Sequence, residues 1–231
     1  MKIYKAILLT ILCVTLGIFW GIEIWSALTK HWGLFLRWFH NTQGNYYPWY
    51  IWFASGAIIF PLMNRFFVKN MEMTKTFTHE LTHTITGLLL FRRIHSFHAE
   101  EAGSGVVRSS GSEKTLFLTA LAPYCFPIYT FPLLMLRSVV ATPFLPIIDI
   151  FIGFSIGLHV VCIAEQTRSY QTDISQFPLW FSYCYIASVW LFDLSIILLS
   201  YLPKQNVFLA FKSIAVDLWN FLVNIVTFIV S

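Results

Sequence analysis

Six apolar runs, each close to the ~20 residues that a helix needs to cross a bilayer, dominate the chain at about residues 4–25, 48–67, 74–91, 115–137, 142–165 and 178–202. The hydrocarbon core offers no partner for a free N–H or C=O, so a chain built of such runs must satisfy its backbone within helices. A seventh run, Val207 to Val230, is long enough to span but carries Ser213, Asp217, Asn220 and Asn224 as one helical stripe. It reads either as a span facing a bundle or as a helix lying on the surface. Composition agrees: 57% hydrophobic, 11% charged and a mean hydropathy of +0.68 exclude an ordinary soluble fold. The expectation is an all-α polytopic membrane protein with six to seven transmembrane helices. It forms one integral domain over residues 1–231, with N-terminal spans and a linker over 1–70, a core over 74–202 and a last helix over 206–230.

Lys2 and Lys5 precede the first run as in a signal peptide, but no small-x-small cleavage site follows, so the run is read as a retained span. From Ser26 to Tyr47, aromatic residues such as Trp32 and Phe35 alternate with Lys30, Arg37 and His40, the mixture of an interfacial helix. Lys and Arg divide evenly between the two sides of an alternating topology, so the positive-inside rule assigns no orientation. The net charge of +4 is scattered, with no basic stripe, which argues against a nucleic-acid partner. Cys13, Cys125, Cys162 and Cys184 lie in apolar runs without a Cys-x-x-Cys pair and read as packing thiols.

The third run contains His79-Glu80-Leu81-Thr82-His83. With seven His and seven Glu in 231 residues, chance supplies about 0.006 copies of this three-position pattern. Residues four apart share a helix face, so both imidazoles reach one metal, and Glu80 sits about 100° round, near enough to take a proton from a bound water. The plainer reading, two histidines bonding neighbouring helices with Glu80 as partner, has to bear the cost of ionisable groups at membrane depth.

Between Arg92 and Lys114 the pattern changes. Ile94, Phe97, Val106 and Val107 flank the turn-prone Ala102-Gly103-Ser104-Gly105, which reads as a short β-hairpin or as a solvated loop with a glycine turn. Further carboxylates that are candidates for a third metal ligand are Asp149, Glu165, Asp173 and Asp193, with His159 as a ligand or as a residue orienting one.

These residues carry a resemblance. The zinc-type motif at the head of an apolar helix is similar to that of the site-2-type intramembrane metalloproteases, in particular their M50B-like branch. Arg93-Ile94-His95-Ser96-Phe97 and Gly103-Ser104-Gly105-Val106-Val107 resemble that branch's hairpin, and Leu118-Thr119-Ala120-Leu121-Ala122-Pro123 resembles its small-residue and proline helix. The similarity covers roughly residues 74 to 190. Two departures stand out: Phe91-Arg92 replaces the Gly-Gly pair that often leaves the first catalytic helix, and no Asp-Gly ligand motif exists. Gln171-Thr172-Asp173-Ile174 instead resembles the Ser/Thr-Asp element before the branch's last core helix, which makes Asp173 the third ligand that the resemblance implies, with Asp149 and Asp193 as alternatives. Strict alternation of six spans opposes this, since it opens the sixth span on the side away from residue 74.

The resemblance implies Zn2+ held by His79, His83 and Asp173, with Glu80 as the catalytic base. The expected activity is hydrolysis of peptide bonds in membrane-embedded or membrane-proximal proteins or peptides, by an integral multi-pass protein of a bacterial cytoplasmic membrane whose surroundings are the lipid bilayer. Extended substrate would add to the hairpin edge. Competing readings are a membrane metal-binding protein or transporter, a zinc-bound scaffold without proteolysis, and a hydrolase of another bond. Glu80 argues against a transporter, because a transit site needs no carboxylate in that slot.

Overall fold

In a computed structural model, residues 2–40, 48–99 and 105–230 are described. The first apolar run and the segment after it form one helix, α1 (Ile3–His40). The separate interfacial helix expected from Ser26 is not formed, because no proline interrupts the chain before Pro48 and the helix runs on. The rest of that linker, residues 41–47, lies outside the described residues. Next come α2 (Trp49–Phe66) and α3 (Val68–Leu89), the latter beginning with polar turns ahead of the apolar run.

α3 ends in a Schellman turn, in which the Phe91 N–H donates to Leu88 O at 3.0 Å and the Arg92 N–H to Gly87 O at 2.9 Å. Phe91 takes the left-handed position with φ 55°, so the exit turn is made without the glycine pair. Arg92 turns inward and is buried, donating from Nη1 to Ser112 O at 2.9 Å and from Nε to Ser109 Oγ at 3.3 Å. It thereby ties the two ends of the hairpin together. The hairpin is formed as β1 (Arg93–Ala99) antiparallel to β2 (Gly105–Ser110), with Phe97 opposite Val107 and an irregularity between Ile94 and Ser96. Its expected turn at residues 102–104 lies outside the described residues.

The continuous span expected over 115–137 is broken into α4 (Leu116–Leu121), a 3₁₀ turn at Ala122–Tyr124 and α5 (Thr130–Arg137). Pro123 and Pro127 explain the break, since each removes an N–H and crowds the preceding turn, while Pro132 sits in the first turn of α5, where a proline is tolerated. There follow α6 (Leu145–Gln166), the short α7 (Thr172–Ser175), α8 (Leu179–Ser200) and α9 (Val207–Val230). Among the described residues four helical stretches are long and apolar enough to cross a membrane: Ile3–Leu34, Thr142–Gln166, Leu179–Ser200 and Val207–Asn224.

α2 and α6 meet backbone to backbone. A Cβ at Gly56 would lie 1.9 Å from Ile150 O, and one at Gly153 would lie 2.0 Å from Phe53 O, so only hydrogen fits at either position. Gly157 faces Ala57, and Asn64 reaches Glu165 at 2.8 Å, so the two helices advance together and are parallel. α1 and α8 are parallel as well, with Gly17 against Ser188 and Leu191 and the His31 ring at Leu198 O. α5 is antiparallel to α6 through Thr130 with Ser155 and Arg137 with Asp149.

Strict alternation of the six apolar runs would set α2 against α6, and the structure sets them in the same direction. The chain therefore leaves α2 at the end of the bundle from which α4 and α5 depart, and α3 with its hairpin returns to that end. At the opposite end, Asp149 is fully buried, accepting from Arg137 Nε at 2.7 Å and Tyr201 OH at 2.8 Å, while Trp49 stacks on Tyr201 at 4.1 Å.

Candidate metal centre

His79 and His83 project from one face of α3 with ring centroids 4.9 Å apart. α7, in the connection between α6 and α8, carries Asp173 to them. Asp173 Oδ2 lies 3.4 Å from His79 Nε2 and 3.2 Å from His83 Nε2. The ligand atoms of these three residues all lie within 4.8 Å of one another, and among the described residues they form the one such grouping of three metal-binding side chains. A tetrahedral ion with bonds of ~2.0–2.1 Å separates its donors by about 3.4 Å. The donor set therefore fits zinc in identity and in spacing.

The opposite ring nitrogens are held too. His83 Nδ1 lies 2.9 Å from Thr119 O, and His79 Nδ1 lies 3.1 Å from Gln166 Oε1. A backbone carbonyl only accepts, so His83 Nδ1 carries a proton, and Nε2 is the ring atom that faces the Asp173 carboxylate. Tyr124 OH lies 3.5 Å from the same carboxylate oxygen. Burial would raise the Asp173 pKa, but the hydrogen bonds from His79 and His83 outweigh it and hold the carboxyl well below the usual carboxylate range.

Glu80 is buried beside the cluster and meets the hairpin. A Cβ at Gly105 would lie 2.5 Å from both Glu80 Cγ and Oε1, so glycine is required where β2 crosses the carboxylate. The Val107 backbone N–H bonds to Glu80. In a two-stranded sheet β2 has β1 on one side, so this contact shows that its other edge faces the centre. Glu80, His79, His83, Asp173 and residues 105–109 line a common cleft of about 640 Å³.

The other sequence candidates lie elsewhere. Asp149 is engaged at the far end of the bundle. Asp193 is buried in α8 with no hydrogen-bond partner for either carboxylate oxygen among the described residues. Glu165 belongs to a neighbouring ion pair with Lys75, and His159 stacks on Trp190 at 5.1 Å. His95 and His98 are exposed on β1. Sequence reasoning missed Thr119, whose contribution is a carbonyl that any residue has, and Gln166, an isolated glutamine at a helix end that carries no signal.

An apolar helical bundle that brings two histidines and a carboxylate to a common point, with a further, buried carboxylate beside them, has the residue set of a membrane metallopeptidase. The sequence model of the Peptidase M50B-like family matches residues 52–193, more than half of the chain, and the protein belongs to that family. No curated protein and no solved structure matches.

Proposed function

We propose that the protein is an intramembrane zinc metallopeptidase that hydrolyses peptide bonds of membrane-embedded or membrane-proximal proteins or peptides. His79, His83 and Asp173 are the metal ligands and Glu80 is the general base. One observation carries the reading: the Nε2 atoms of His79 and His83 converge on one Asp173 carboxylate oxygen at 3.4 and 3.2 Å. Two imidazoles and one carboxylate at that spacing match the three protein ligands of a catalytic zinc site, with a fourth position left for water.

When bound, zinc supplies Lewis-acid polarisation of a peptide carbonyl and activates water at neutral pH. Glu80 takes the proton from the attacking water on a carboxylate oxygen and passes it to the nitrogen of the leaving amine. The free edge of β2 aligns an extended substrate segment, since a helix hides its peptide bonds in its own ladder. Gly105 lets that edge approach the base without displacing it.

The helix directions favour six crossings: α1, α2, the broken stretch from α4 to α5, α6, α8 and α9. α3 and the hairpin are then re-entrant, which is how Asp173 comes to lie on the same side as the histidines. Zinc content of wild type and Glu80→Gln, paired with cleavage of a model transmembrane peptide, tests the function. The expected result is one zinc in each protein and cleavage only by the wild type; cleavage by both at one rate removes Glu80 from the mechanism.

A further inference from the structure

The two histidines are oriented by different means. His83 leans on a backbone carbonyl that α4 fixes in place. His79 leans on the carboxamide of Gln166, the last residue of α6. A side chain at a helix end is a poor anchor unless something holds that end still.

The neighbouring residue does so. Glu165 Oε1 accepts from Asn64 Nδ2 at 2.8 Å, which ties the end of α6 to α2, and Oε2 accepts from Lys75 Nζ at 2.5 Å, which ties it to α3. Lys75 is 2% exposed and also donates to Glu72 at 2.6 Å. Lys75 and His79 are one turn apart on α3, and they are met by Glu165 and Gln166, adjacent on α6. The result is a two-point clamp: the ion pair sets the register of the helices, and the amide lands on the ring.

We propose that Gln166 is a positioning residue for the metal centre, kept in register by the Lys75 and Glu165 pair, and that it sets metal affinity through His79. The proposal rests on His79 being a zinc ligand. Gln166 Oε1 accepts a hydrogen bond from the His79 Nδ1–H, which leaves the lone pair on Nε2 toward the metal and makes the ring a stronger donor. The amide is an ambiguous partner, because its NH₂ turned inward would favour the opposite tautomer. A carboxylate at this position only accepts, and so keeps the required tautomer.

The test uses the full chain purified in detergent, with zinc affinity measured by chelator competition and the Co2+ absorption spectrum as a report on ligand geometry. Gln166→Leu and, in parallel, Gln166→Met should bind zinc about 10–100-fold more weakly than wild type and shift the Co2+ bands. Gln166→Glu should restore wild-type affinity or exceed it, which a merely structural role would not predict. Lys75→Met should weaken binding although Lys75 touches no ligand. Wild-type affinity with unchanged Co2+ bands in both the Leu and Met variants overturns the proposal, as does an equal loss in Gln166→Glu. Wild-type protein that binds no metal overturns the reading of His79 as a ligand, and the proposal with it.

Discussion

At the scale of single residues, the separation of binding from chemistry is the sharpest expectation. His79→Ala and His83→Ala should each lose zinc, since two remaining ligands do not hold the ion in a catalytic geometry, and metal analysis of folded protein decides it. Asp173→Ala should do the same, because among the described residues Asp173 is the carboxylate that completes a three-donor grouping with the two histidines. Gly105→Ala should keep its zinc and lose activity: the new methyl would lie 2.5 Å from Glu80 Cγ and Oε1 and must push the base aside. A misplacement of about 1 Å costs on the order of 10²-fold in rate, readable as kcat at constant metal content. His79, Glu80 and His83 were legible in the sequence because a four-residue interval on a helix is a local fact. Asp173 lies 90 residues from His83, and only the resemblance pointed to it.

At the scale of elements, the α3 exit and the α2–α6 contact make opposite predictions about glycine. Phe91 holds a left-handed φ of 55° with its side chain almost fully exposed, so Phe91→Gly should remove backbone strain and raise stability by about 1 kcal/mol in denaturant titration. Gly153→Ala should do the reverse, because its Cβ would meet Phe53 O at 2.0 Å and drive the helices apart. A loss of about 1–3 kcal/mol is expected, as for overpacked cores, and a thermal melt reads it. The apolar runs forecast where helices lie, since lipid and protein interior both demand a satisfied backbone. They did not forecast the break at Pro123 and Pro127, because apolarity reports the surroundings of a segment and not its continuity. Nor did they forecast that α1 would run on to His40, because the polar and aromatic residues after Trp25 suit a helix in either setting.

At the scale of the molecule, helix direction decides which residues can meet at the proposed metal centre. The parallel course of α2 and α6 was invisible in the sequence, because alternation assumes that every apolar run crosses, and α3 with its hairpin returns instead. Removing the metal should lower stability by RT ln(1 + [L]/Kd), about 2.7 kcal/mol when free zinc stands at 100 times Kd, seen as a fall in Tm on chelation. Because one ion would join residue 83 to residue 173, it acts as a removable drawstring on all the chain between them. The knot of that drawstring is the connection bearing α7, where Arg168 and Tyr170 are exposed. A protease that cuts after arginine should therefore nick the metal-free protein at Arg168 faster than the loaded protein, so that the rate of a single cut measures occupancy without any substrate.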